Sequence, residues 1–133
     1  DSVPKDYLKK INNYSHFKWL GFRRDIKELY SISKIAVLPS YYPEGGYPRA
    51  ITEPMSMSMA VIGSNTKNCS GAIENNINGL LVEPKNSIDL SKKVISLISD
   101  PKKIKFLGKE ARKAVLNKFD EEIVIKELIN SIY

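Results

Sequence analysis

Three short apolar runs, Ile35-Ala36-Val37-Leu38, Val61-Ile62-Gly63 and Leu80-Leu81-Val82, are spaced along the chain with helical patterns between them. Each run is too short for a core helix, and each ends against proline, glycine or polar residues, which marks it as a strand. Ile35 to Leu38 is apolar throughout and reads as a strand buried on both faces, ended by Pro39. A further run, Phe17-Lys18-Trp19-Leu20, stops at Gly21. Strands alternating with helices join in parallel, so the chain is α/β, with a parallel sheet of about four strands and flanking helices.

The helical patterns are as regular. One runs from Pro4 to about Tyr14, and Asp25 caps a short second helix through Leu29 and Tyr30. A helix around Ala50 to Met57 precedes the strand at Val61, and Asn78-Gly79 turns the chain into the strand at Leu80. From Ser87 on, helices take over. Leu90, Val94, Leu97 and Ile98 form a stripe that stops at Asp100. Asp100-Pro101 is a cap followed by proline at the first helical position, with Ile104, Leu107, Ala111 and Val115 as the buried face behind it. Phe119-Asp120 opens a last helix in which Ile123 or Val124, Leu128 and Ile132 recur at helical spacing, so its apolar face must dock somewhere.

With 133 residues, 42% of them apolar, the chain can bury one ordinary core. No run approaches the roughly 20 apolar residues that span a bilayer, and Asp1 to Asp6 lacks the basic start and apolar stretch of a signal peptide. On these features the expected location is the cytoplasm. Cys69 is the single cysteine, which excludes an internal disulfide and suits a buried structural thiol. His16 has no metal-ligating neighbour in sequence and reads as a surface loop residue. The net charge of +6, from 21 basic and 15 acidic residues, suits an anionic partner such as a nucleotide diphosphate or a phospholipid surface. The lysines fall along amphipathic helices without interleaved aromatics, which describes a solvated surface and argues against nucleic acid.

Chemistry concentrates between Pro39 and Glu53, where Gly45-Gly46-Tyr47-Pro48 separates a strand from a helix. In open parallel sheets ligands bind beyond the carboxyl ends of the strands. Backbone N–H groups near Gly46 and Ala50, with the positive end of the helix dipole, would attract a diphosphate, and Pro48 spares an N–H that has no helical partner. Glu53 could accept two hydrogen bonds from a vicinal diol such as ribose, and Glu44 would stand at the mouth of the same cleft. A loop that only turns the chain, with a solvated mid-helix glutamate, has the same spacing.

The run Leu38-Pro39-Ser40, Glu44-Gly45, Pro48-Arg49 and Glu53, then Val61-Ile62, Cys69, Glu74-Asn75 and Asn78-Gly79-Leu80-Leu81-Val82, resembles family 4 of the retaining glycosyltransferases. Asp100-Pro101, Gly108, Ala111-Arg112 and Phe119 continue the resemblance through the closing helices. It implies a GT-B fold of two Rossmann-like domains, with residues 1–133 as part of the carboxyl-terminal, nucleotide-sugar-binding one and residues 87–133 as its closing helices. The amino-terminal acceptor domain is absent, and so are two strands that would fill the sheet between Phe17 and Ile35, leaving the sheet incomplete. Another polypeptide or the missing sequence and domain would fill the gap, or the chain would rearrange its sheet or self-associate.

The same resemblance implies a sugar transferred with retention from a UDP- or GDP-linked donor to a surface glycan or lipid-linked acceptor, at the inner face of the membrane and in contact with it. It implies no metal and no cofactor. Glu44 takes the catalytic position beside the donor sugar, Glu53 holds the ribose hydroxyls, and Gly45, Gly46 and Tyr47 present amides to the diphosphate, with Pro48, Arg49 and Ala50 leading into the helix. Such a segment alone would be inactive. The alternative is a non-catalytic nucleotide-binding or interaction module of the same fold.

This sequence departs from the pattern in places. Eight residues rather than seven separate Glu44 from Glu53, Pro54 follows the second glutamate, and Ser58 and Ala60 stand where glycine and proline are usual. Asn68, Ser70 and Gly71 flank Cys69 in place of the usual Gly-Cys-Arg-Glu, which removes a charged pair. An interior proline costs a helix roughly 3 kcal/mol unless the helix in effect begins there, so Pro54 weighs against the helix around Ala50 to Met57.

Overall fold

The computed structural model describes residues 3–42 and 46–132. Ten elements follow in order: α1 (Lys5–Asn12), α2 (Ile26–Ile32), β1 (Ile35–Leu38), α3 (Arg49–Ser56), β2 (Ala60–Ser64), α4 (Lys67–Ala72), β3 (Leu80–Val82), α5 (Ser87–Ile98), α6 (Pro101–Lys118) and α7 (Glu121–Ile132). The strands form one parallel sheet in the order β1-β2-β3, with Ile35 opposite Ala60 and Ile62 opposite Leu80. Central β2 is buried along its whole length, as a strand covered by helices on both faces must be.

Alternation along β2 divides the core. Val61 points to one face and packs with Ile51 and Met55 of α3, Cys69 and Ala72 of α4, Ile73, and Ala111 of α6. Ala60 and Ile62 point to the other face and meet Leu80, Val82, Leu97 of α5 and Leu107 of α6. Helix α6 therefore contributes to both layers. Gly108 permits this: a β-carbon there would collide with the Ser58 carbonyl oxygen. Ser58 makes the turn between α3 and β2 with φ of 61°, in the left-handed region where glycine is usual. The Arg112 guanidinium donates to the Ser56 carbonyl, fixing the end of α3 on α6.

The Asp100 cap forms as expected, its carboxylate accepting from the Lys103 N–H at 2.9 Å. Asn86 caps α5 in the same way through the Asp89 N–H, also at 2.9 Å. Cys69 is buried and His16 exposed.

Several expectations are corrected. The sheet has three strands among the described residues, because Phe17 to Leu20 forms none. A strand needs a lateral partner, and this segment pairs with no other; the Trp19 N–H instead donates to Asn12 Oδ1 at 2.8 Å. For the same reason β1 is an edge strand, and Val37 is 42% exposed rather than buried. Asp25 occupies the cap position of α2 without capping it. Its carboxylate pairs with the Arg23 guanidinium, which holds its pKa below the ordinary value. Helix α3 begins at Arg49, so Pro54 lies inside it, and burial of the proline ring offsets the lost N–H bond. Ile98 lies on the solvent side of α5. The apolar face of α7 does not dock: Ile123 is half-buried, whereas Val124 and Leu128 are exposed. The side chain of Ile132 lies outside the described residues.

Helix α4 went unforeseen. Its Asn, Ser and Gly are weak helix formers, so tertiary packing decides its conformation. Gly63 of β2 makes room, since a β-carbon there would fall 2.8 Å from Ile73 Cδ1 and 3.2 Å from Cys69 Cβ. The loop after α4 is clipped by buried Asn78, which accepts the Glu74 N–H at 2.7 Å and donates to the Ala72 carbonyl at 3.4 Å. The left-handed turn residue in this loop is Asn76, with φ of 65°.

Candidate donor site

The chain leaves β1 at Leu38 and enters α3 through the turn at Gly46 and Tyr47. Gly46 has φ of 79°, a conformation that suits glycine. Its carbonyl accepts from Asn68 Nδ2 of α4 at 2.7 Å. The Tyr47 ring meets Phe119 edge-on, with centroids 4.7 Å apart, and Lys118 Nζ lies 5.3 Å from its centroid. Lys118 also donates to the Gly71 carbonyl at 2.7 Å, closing a bracket of α4 and α6 around the tyrosine. Asn68 and Gly71, which break the expected pattern, thus seat the turn. Neither Phe119, Lys118 nor Asn68 was legible as a support, because each is remote in sequence from the loop.

Buried Pro48 precedes α3, and its carbonyl accepts the N–H groups of Ile51 at 2.9 Å and Thr52 at 3.0 Å. The N–H groups of Arg49 and Ala50, in the first helical turn, have no intrahelical acceptor, and both residues are exposed. They present donors and the positive end of the helix dipole beyond the carboxyl edge of the sheet.

Glu53 faces a different neighbourhood. It borders a cleft of about 360 Å³ with Ile26, Lys27 and Tyr30 of α2 and Ser56 and Met57 at the end of α3. Its carboxylate lies 3.9 Å from Arg49 Nε, one turn back, and Arg49 is otherwise almost wholly exposed. The Tyr30 hydroxyl is held above its ordinary pKa, first by burial and then by the negative charge of Glu53. The lining from α2 was missed in sequence because Lys27 and Tyr30 read there only as part of an amphipathic helix. The structure brings Gly46, Tyr47, Pro48, Arg49, Ala50 and Glu53 together along one turn and helix. Glu44 and Gly45 lie outside the described residues.

Residues 2–114 match the profile of the group 1 glycosyl transferases, and the chain belongs to that family. Over 129 residues it is 36% identical to the N,N'-diacetylbacillosaminyl-diphospho-undecaprenol alpha-1,3-N-acetylgalactosaminyltransferase of Campylobacter jejuni, an alignment covering 97% of this chain and 34% of that protein. The chain therefore spans about a third of the length of this relative. Among solved structures it superposes on Anabaena HepE in complex with UDP at a TM-score of 0.86, with 23% identity, covering 96% of this chain and 35% of that one. It also superposes on the C-terminal domain of the Francisella tularensis group 1 glycosyl transferase LpcC at a TM-score of 0.75, with 26% identity, covering 87% and 60%. The fold is the Rossmann-like fold of GT-B glycosyltransferases, of which this chain is a part. Among the described residues no helix is long and apolar enough to cross a membrane.

Proposed function

We propose that this chain is the carboxyl-terminal, donor-binding part of a retaining glycosyltransferase that moves a sugar from a UDP- or GDP-linked donor to a lipid-linked or surface glycan. The observation that carries the reading is the alignment, on α3, of the first-turn amides of Arg49 and Ala50, which have no intrahelical acceptor, with the Glu53 carboxylate beside the α2 cleft. Amides at a helix start suit a diphosphate, and a half-exposed carboxylate further along the same helix suits the ribose diol. Glu44, with Gly45, would stand beside the donor sugar.

In this reading the protein contributes electrostatics. The amides and helix dipole of α3 stabilise the charge that gathers on the leaving diphosphate, without a metal or cofactor. On donor binding Glu53 would exchange its long contact with exposed Arg49 for two ribose hydroxyls. The acceptor is assigned by analogy with the lipid diphosphate named for the Campylobacter relative. Its lipid diphosphate would be met by an amino-terminal domain elsewhere in a longer protein, at the cytoplasmic face of the membrane, where the basic helices favour anionic lipid. The chain alone would bind nucleotide weakly and turn nothing over.

Calorimetric titration of the longer protein and of this chain with UDP and GDP, in the presence of a chelator, tests the reading. Saturable binding of one nucleotide, weakened roughly 10- to 100-fold by Glu53→Ala in a variant that keeps its circular dichroism, is the expected result. Failure of the folded longer protein to bind either nucleotide, or an unchanged affinity in Glu53→Ala, would overturn it.

A further inference from the structure

Ser64, the last residue of β2, is 1% exposed, and its hydroxyl has no hydrogen-bond partner among the described residues. Strand alternation puts it on the same face as Ala60 and Ile62, which pack with Val82, Leu90 and Leu97 on the α5 side. The hydroxyl is thereby directed toward the first turn of α5. There a cavity of about 220 Å³ opens beyond the carboxyl ends of all three strands, lined by Ser64 itself. A buried hydroxyl with no partner in the chain is unfavourable, and a water or a ligand hydroxyl in the adjoining cavity would satisfy it.

The rest of the cavity says what chemistry that partner carries. Val82 and Leu90 supply apolar surface, and Tyr41 an aromatic one, while Glu83 and Asn86 bring a carboxylate and an amide. The Tyr41 ring is held between the Tyr42 ring, 4.6 Å away, and Lys85 Nζ, 4.5 Å from its centroid. The Lys85 backbone is left-handed, with φ of 60°, an uncommon state for a residue with a side chain. Apolar surface from Val82 and Leu90, with Tyr41 beside it, facing hydroxyl, amide and carboxylate groups matches a pyranose, whose ring C–H groups pack on apolar surface while its hydroxyls both donate and accept. A phosphate fits less well. Lys85 offers it one cation, but the Glu83 carboxylate on the same lining opposes it. The cavity is smaller than the roughly 300–1,000 Å³ of sites for drug-sized ligands, which suits one ring and excludes a nucleotide.

We infer that this cavity is a monosaccharide subsite, separate from the Glu53 cleft, in which Ser64 Oγ and the Glu83 carboxylate hold hydroxyls of one pyranose ring against Tyr41. The ring belongs to a free sugar or to the terminal sugar of a lipid-linked acceptor. Only the second source rests on the glycosyltransferase reading.

The test follows backbone amide resonances of the 15N-labelled chain. The probes are methyl α-D-glucopyranoside, N-acetylglucosamine, a soluble short-prenyl diphospho-N-acetylglucosamine and inorganic phosphate. At least one sugar should shift the amides of Val82, Glu83 and Ser87 to Leu90 saturably. Ser64→Ala, which removes only the unpartnered hydroxyl, should weaken that binding roughly tenfold and leave the rest of the spectrum in place, with Tyr41→Ala weakening it as well. Tighter binding of the prenyl glycoside at the same amides supports the subsite and assigns it to the acceptor; equal binding supports it and assigns it to free sugar. The inference is overturned if no sugar shifts these amides, if phosphate alone does, or if both variants bind as the parent does. UDP is read at different amides, Arg49 to Glu53, so either site can fail without obscuring the other.

Discussion

Gly71 lies against the edge of the Tyr47 ring so closely that a β-carbon on it would sit 2.5 Å from Tyr47 Cε1. The obstacle is the side of a ring on an exposed turn, which can yield without disturbing the core. Gly71→Ala should therefore leave the fold intact while tilting Tyr47 off Phe119 and shifting Gly46 away from Asn68. The expected outcome is a change in unfolding free energy below about 1 kcal/mol together with at least a severalfold loss of nucleotide affinity, checked by urea unfolding and calorimetry.

Gly108 is the opposite case, because its neighbour is the Ser58 backbone. A methyl group there has nowhere to go unless α6 moves away from the turn between α3 and β2. Gly108→Ala should destabilise the chain by about 1–3 kcal/mol or more, despite the better helix propensity of alanine, and the loss should appear in the urea midpoint. A gain in stability would show that α6 does not pack as described.

The neighbourhood of Tyr30 and Glu53 gives a prediction in alkali. The folded pKa of Tyr30 is raised above that of the unfolded chain, by burial first and the Glu53 charge second. The folded state thus holds this proton more tightly. The associated stability is fully present below the ordinary tyrosine pKa of about 10 and is lost as pH rises through the elevated folded value. Glu53→Gln should lower the Tyr30 pKa toward, but not to, the ordinary value, because burial remains. Ring-carbon resonances of labelled tyrosine measure this directly, and an unchanged Tyr30 titration in the variant would refute the proximity.

The outer face of α7 should be indifferent to polarity as long as the chain stands alone. Leu128 is 60% exposed and Ile129 51%, so replacing both by serine removes little buried surface. The thermal midpoint should stay within a few degrees of the parent. Leu97→Ala, by contrast, empties a fully buried position on α5 and should cost about 2–5 kcal/mol. A large loss in the α7 double variant at high protein concentration, absent at low, would reveal self-association through that face.

Much of the fold was legible because local signals agreed with one another. The runs at Ile35, Val61 and Leu80, the Asp100-Pro101 cap and the stripe of α6 each emerged where periodicity and capping pointed the same way. The failures share a different cause. Phe17 to Leu20 has the composition of a strand but no neighbour to pair with, and α4 has the composition of a loop but is held helical by the space at Gly63. Both outcomes are set by contacts distant in sequence. The same division holds in the candidate site. The turn and helix from Gly46 to Glu53 could be read along the chain, whereas the contributions of Asn68, Phe119 and Tyr30 come from three other places in it.

That division of supports separates two tasks mechanically. The turn that would meet phosphate is braced by α4 and the end of α6, whereas the cleft beside Glu53 is completed by α2, a helix with no buried residue of its own. Substitutions on α2 can therefore reshape what lies next to Glu53 without disturbing either core layer or the turn at Gly46. Under the proposed donor reading, preference among nucleosides would be set by α2 and the grip on the diphosphate by the turn, so each could change without the other.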